Sequence, residues 1–481
     1  MSSGRGAKLR SGLDHPVVDA DAHVMEHMPV FLEYLADEAG PAMVDRYRKG
    51  AMTRQYAGLG GWTTATEEER RRHGIAMPQW WAQPASACER ATAYAPGLLR
   101  ERLDELGIDF SVLYPSLGMS LLPLEDPEVR VAACRAYNRY LQTSTRAFAD
   151  RLTVAAVVPM HTPEEALSGL GHAVGELGAK VVLLNGYVRR PVPGMGDQPV
   201  RVDTFGIDSD HDYDPVWRRC VELHVSPTFH SSSHGFGFQS SSSRFMYNHI
   251  GKFSSPGEAS AKSLFFGGVP HRFPALRFAW LEGGASWGAQ LLVALVDRWE
   301  KRGGPNIDTL NPRHVDVDGY VQLLHEYGAD ALTGPTGTRH EPRRELDDTK
   351  PAIIDDFQAC GVESPADIVA QFDRYFFGCE ADDRTTGWAF ERRVNPGGVA
   401  IRAMLGSDIG HWDVADAREV LAEAFELLDD ALLDADDFRA FVCDNAVLFH
   451  AAANPGFFDG TPVGSYARRL VGDHGATVGS R

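Results

Sequence analysis

At 481 residues, with 43% apolar and 23% charged side chains, the chain is long enough for one large barrel with insertions and can bury an ample core. Its 47 basic against 66 acidic residues give a formal charge of -19, which argues against nucleic acid, a partner that needs a basic face. No run approaches the roughly 20 apolar residues of a membrane span, and the polar start "MSSGRGAKLRSG" lacks the apolar core of a secretory signal. A cytoplasmic protein with no membrane contact is expected. The six cysteines, at 88, 134, 220, 360, 379 and 443, show no paired spacing and read as reduced thiols.

In chain order, "PVVDADAHV" (16–24) reads as a buried strand, followed by "GIDFSVLYPS" (107–116) and a helix over 126–149 with Pro127 near its start. A third strand, "LTVAAVVPM" (152–160), precedes a helix opened by Thr162 and Pro163 and stopped at Gly178. Strands follow at 179–188, 224–231 and 276–284, then a helix over 286–304, then strands at 373–380 and 400–408. Continuous apolar strands alternating with helices mean a parallel sheet covered on both faces, and eight such units predict a distorted (β/α)8 TIM barrel. Residues 13–460 read as one metal-dependent domain. Within it, 27–100 and 301–370 are insertions forming a lid or an oligomer contact, and 461–481 is a tail. A homodimer acting on a small-molecule substrate is expected.

Strand ends of a parallel barrel converge on one mouth. The first strand offers Asp21 and His23 on one face, with Asp19 two residues earlier, and Glu26 follows in the loop. The fifth offers His230, with His234 in "HSSSHG"; the sixth Glu282; the seventh Glu380; the eighth Asp408, then His411 in "GSDIGHWD". Carboxylates and imidazoles without thiolates suit Mn, Fe or Zn rather than a structural zinc.

"VVDADAHVME", His230, "RFPALRFAWLEGGASW", "GSD" and "DNAVLF" together resemble the amidohydrolase-related branch of the amidohydrolase superfamily, which includes decarboxylases of aromatic and amino-muconate acids. The resemblance implies a metal held by Asp21, His23, His230 and Asp408. Glu282 stands where those decarboxylases carry a second histidine, and Lys180 is badly placed to be a carbamylated bridge. The surplus of ligands is similar to that of a small oxygen-activating branch, the non-haem dimetal monooxygenases. Substrates known in that branch include a small amino acid and a diterpenoid acyl-thioester of antibiotic biosynthesis.

That resemblance implies two divalent ions, iron ahead of manganese or zinc, with O2 as co-substrate for hydroxylating an unactivated C–H bond. Glu26, His234 and His411 would hold the second ion, with Glu26 or Asp408 bridging. Glu282 and His411 would be the catalytic groups, and "MPQWWAQP" with Phe236 and Phe238 would shield the site from water. Two other readings stay open. One is a metal-dependent hydrolase or decarboxylase in which Asp408 takes a proton. The other, from "GASWG", is a serine hydrolase through Ser286, Asp408 and His450.

Overall fold

A computed structural model describes residues 5–52, 62–79, 84–192, 194, 200–345 and 355–478 of the chain. Its strands are β1 (Val18–Val24), β2 (Phe110–Pro115), β3 (Leu152–Val158), β4 (Val181–Leu184), β5 (Val188–Pro191), β6 (Val200–Asp203), β7 (Pro227–Phe229), β8 (Phe278–Trp280), β9 (Tyr375–Glu380) and β10 (Arg402–Gly406). Eight of them form one parallel sheet in the order β1-β2-β3-β4-β7-β8-β9-β10. The sheet curls until its two edges meet. Asp408 N donates to the carbonyl of Asp21 at 2.9 Å, and His23 N donates to that of Ile409 at 2.8 Å. The molecule is therefore a (β/α)8 barrel, distorted by a register shift in β1 between Asp19 and Ala22.

All eight predicted strands contain a barrel strand. Outside the barrel the described residues add an antiparallel pair, β5–β6, that the strand pattern did not predict. The run 179–188 looked continuous because Val181–Leu184 and Val188 are both apolar, but Asn185 and Gly186 break it. Asn185 accepts from Met160 N, and Gly186 N donates to Ser231 Oγ.

The helices follow their local chemistry. Asp126 caps Pro127–Thr145 by accepting from Glu128 N and Val129 N, and Thr162 caps Pro163–Leu170 by accepting from Glu165 N. Large rings pack the apolar strands, with Trp280 against Tyr375 (centroids 4.8 Å apart), and Trp217 of the helix Asp214–Glu222 sits edge-on to Phe278. Each fully buried side chain of this size contributes about 1.5–3 kcal/mol.

At the seam Asp19 ties three strands together. Its Oδ1 accepts from Ser407 N and Asp21 N, and its Oδ2 accepts from Ser111 Oγ at 2.7 Å and Ser407 Oγ at 2.8 Å. Between β1 and β2 the chain builds helices that include Met28–Ala39, Ala87–Tyr94 and Pro96–Leu106. It also reaches the segment after β7, through Trp62 Nε1 to Ser242 O and Met77 N to Ser241 O. Among the described residues no helix is long and apolar enough to cross a membrane. All six cysteines are free, five of them buried and Cys88 exposed.

Candidate metal centre

Four strand ends deliver the chemistry to one point. β1 carries Asp21 and His23, His230 follows β7, Glu282 follows β8, and Asp408 and His411 follow β10. Glu282 and Asp408 both take a left-handed backbone, with φ of 54° and 50°. That conformation is costly for a residue with a Cβ, by about 1–3 kcal/mol, and it clusters at functional sites. Gly410, at φ 110°, passes so close to β1 that a Cβ there would lie 2.7 Å from the His23 carbonyl.

His23 Nε2 lies 3.2 Å from Asp408 Oδ1 and 3.7 Å from both Asp21 Oδ1 and Glu282 Oε2. His230 Nε2 lies 3.1 Å from Glu282 Oε2, without hydrogen-bond alignment, and 3.8 Å from Asp21 Oδ2. His411 Nδ1 is 2.6 Å from Asp408 Oδ1 and 4.0 Å from Glu282 Oε2, and its ring stacks on His23 with centroids 3.7 Å apart. Two overlapping groups have ligand atoms within reach of a common ion: Asp21, His23 and His230, and His23, Glu282, Asp408 and His411.

Among the described residues, Asp21 Oδ1, His23 Nε2, His230 Nε2, Glu282 Oε2 and both Asp408 oxygens are sealed from solvent with no hydrogen-bond partner. Leaving one such group unpaired costs about 1–3 kcal/mol. A divalent cation held by either group would satisfy the atoms of that group, and the N/O donor set matches Mn, Fe or Zn. The residues fit a metal.

The electrostatics point the same way. Burial, reinforced by the nearby Glu282, pushes the Asp21 and Asp408 carboxyls well up. Burial, with the His411 and His230 rings beside it, pushes His23 well down. For His230 the burial effect is outweighed by Asp21 and Glu282, so its pKa rises. Glu282 goes the other way from its fellow acids. Burial would raise it, but His230, Lys252 and His411 bring it down to about 2. His411 is lowered to about 4 by burial against the pull of Glu282 and Asp413. Such opposed shifts in one cleft mark a functional site.

Two expected ligands stand apart from this group. Glu26 turns to the β2 end, where Oε2 accepts from Leu117 N at 2.9 Å and Oε1 from Ser116 N, Gly118 N and the Tyr137 hydroxyl. With its oxygens so engaged it belongs to neither ligand group. His234 packs its ring 5.7 Å from Phe245 and likewise falls outside both groups. Glu380 closes β9 nearby, raised to about 8 by burial and by Glu282, Asp413 and two further aspartates. Lys180 lies at the opposite end of the barrel, just before β4, donating to the Phe457 carbonyl at 2.7 Å.

The serine constellation does not assemble. His450 stacks on Phe457 at 4.3 Å, Asp408 faces His23 and His411, and no hydrogen bond joins Ser286 to either among the described residues. Of the expected shield, Phe238 is 88% exposed and Phe236 lies 4.1 Å beneath the Arg189 guanidinium. Trp80 and Trp81 lie outside the described residues.

Three contributors passed unnoticed in the sequence. Lys252 sits 3.8 Å from Glu282 Oε1, Ser116 Oγ 3.1 Å from His411 Nε2, and Asp413 beside Asp408. Only Ser116, at the end of the second predicted strand, stood where the strand-end rule pointed, and serine is not a usual ligand type.

A family model described as Amidohydrolase matches residues 18–449. Among solved structures, an amidohydrolase of Mycobacterium avium subsp. paratuberculosis K-10, map2389c, is 17% identical. It covers 91% of this chain and 99% of its own, with a TM-score of 0.53. A dihydroxybenzoic acid decarboxylase from Polaromonas sp. JS666, with bound manganese and the inhibitor 2-nitroresorcinol, is 15% identical. It covers 92% of this chain and 99% of its own, with a TM-score of 0.50. No curated protein matches the sequence significantly.

Proposed function

The chain belongs to the amidohydrolase family, and from that premise we propose that it is a divalent-metal-dependent enzyme that hydrolyses or decarboxylates a small organic substrate. In this reading Asp21, His23, His230 and Asp408 hold the ion. The observation that carries it is the set of unpaired, solvent-sealed oxygens and ring nitrogens that these residues turn toward one another across β1, β7 and β10. A divalent ion supplies Lewis acidity and makes a bound water acidic near neutral pH. Asp408 would be placed to take that proton, with His411 Nδ1 2.6 Å from its Oδ1. Lys252, beside Glu282 and only partly exposed, offers a cation to an anionic group of the substrate.

A second reading, O2-dependent hydroxylation of a C–H bond with two ions, draws on the two ligand groups, which share His23, and on Glu282, an acid where the resemblance implies a second histidine in the decarboxylases. Protein purified without chelators separates the two by elemental analysis and turnover. One Mn or Zn per chain and O2-independent conversion of aromatic carboxylic acids supports the first reading. Two irons per chain and label from 18O2 in the product replaces it with the second. Full activity after demetallation removes both.

A further inference from the structure

His411 is the one imidazole of the centre with both ring nitrogens facing assigned partners. Nδ1 faces Asp408 and Glu282, and Nε2 faces the hydroxyl of Ser116. Ser116 is itself fixed from below. The Glu26 carboxylate accepts from three consecutive amides, those of Ser116, Leu117 and Gly118, and from the Tyr137 hydroxyl. Gly118 has no side chain because a Cβ there would collide with the Tyr137 ring. The loop after β2 is thus moulded around a buried carboxylate, and it presents a single hydroxyl to His411.

We infer that Ser116 is a positioning residue. Its hydroxyl oxygen accepts a hydrogen bond from the Nε2–H of His411, leaving the Nδ1 lone pair turned into the metal centre, and Glu26 holds Ser116 in place. The assignment rests on the reading that the centre binds a metal, with His411 turned to the ion from the group it forms with His23, Glu282 and Asp408. A partner on the far nitrogen is how proteins fix the tautomer and angle of a ligating imidazole.

The Ser116–His411–Asp408 sequence also has the connectivity of a serine nucleophile with its base and acid. The backbone decides between the two roles. A nucleophile needs free amides beside it to receive an oxyanion, commonly that of the following residue. Here the amides of Ser116, Leu117 and Gly118 are all spent on Glu26. With those amides held by a carboxylate, none is left to receive an oxyanion, so the serine orients and does not attack.

The test uses the full-length apoprotein, titrated with Zn2+ against a chromophoric chelator, together with 15N spectra of the histidine rings. Ser116→Ala should weaken Zn2+ binding by about 10–100-fold and release His411 from the Nε2-protonated form, with the thermal midpoint unchanged. Ser116→Thr, which keeps the hydroxyl, should restore both. Glu26→Gln should weaken binding through the same path, so the double variant should bind no worse than Ser116→Ala alone.

Wild-type affinity and an unchanged tautomer in Ser116→Ala would overturn the assignment, as would additive losses in the double variant. So would covalent capture of Ser116 by a fluorophosphonate. The ring spectra decide the matter even if the wild type binds no Zn2+, an outcome that would sink the metal reading separately.

Discussion

His230 and His450 are buried alike, at 4% and 5% exposure, at opposite ends of the barrel. His230 stands at the mouth between Asp21 and Glu282, which raise its pKa despite burial. His450 lies at the foot between Phe449 and Phe457, where desolvation alone drives it down to about 3. Burial penalises both charged forms equally, so the difference lies in the neighbours. At the foot the ring is a flat apolar surface that happens to carry nitrogens. At the mouth it belongs to a group whose charges balance only when a cation joins them.

The largest expected effect breaks the comparison at the mouth. His230→Ala or Asp408→Ala should abolish detectable binding of Mn2+ or Zn2+ in a chelator competition, a loss beyond the roughly 10–100-fold of a supporting group. His450→Phe should leave ion affinity as it was. The wild type should also melt higher when metal is added, by an amount equivalent to about 2.7 kcal/mol at a hundredfold excess over Kd, and the two mouth variants should lose that response. Metal binding that survives in His230→Ala would refute the centre.

Next in size is the foot. A ring held neutral down to about pH 3 in the folded chain but titrating near 6.5 when unfolded takes up its proton on unfolding. Its contribution to stability is complete above pH 6.5 and is lost as pH falls toward 3. The span corresponds to at most about 5 kcal/mol. Urea unfolding at stepped pH should show a steeper acid limb for the wild type than for His450→Phe, with the two curves parallel above pH 7. Parallel curves throughout would mean that His450 is not held neutral.

The contrast between the two ends also explains what was legible in the sequence. The barrel was readable because each strand announces itself locally, and β10 "RAMLG" or β3 "LTVAAVV" needs no distant information to be recognised as buried. The ligands at strand ends were readable for the same reason, since position along the strand fixes which end of the barrel a side chain joins. What the sequence concealed was direction within the loops. Glu26 is two residues beyond β1 and chemically suited to a metal, yet the amides of 116–118 hold its oxygens. His234 is four residues past His230, and no periodicity links a loop residue to its strand. The overlooked Ser116 and Lys252 owe their places to loop conformations that only the folded chain defines.

Asp19 sharpens the same point on β1, where Asp19 and Asp21 share a face and differ in partners. Asp19 accepts from four donors at the seam, while Asp21 Oδ1 has none among the described residues. Asp19→Ala leaves buried hydroxyls and amides unpaired and should cost about 3 kcal/mol in urea unfolding, whether or not metal is present. Asp21→Ala should cost little in the apoprotein and should show its effect only in metal affinity. Should Asp21→Ala destabilise the apoprotein as much as Asp19→Ala, the division of labour between the two acids would be wrong.

The smallest expected effect lies on the rim. The aromatic residues after β7 divide into Phe236, covered by Arg189 and stacked on Tyr187, and Phe238, which is 88% exposed. A side chain that touches solvent on nearly every side cannot exclude water from a centre below it. Phe238→Ser should therefore change stability by less than about 0.5 kcal/mol and leave both metal affinity and turnover within twofold. Phe236→Ser removes a stacked ring and should lower the melting point. A marked loss of turnover in Phe238→Ser, with stability intact, would mean that this ring folds inward when substrate binds, and the rim would then share in the chemistry of the mouth.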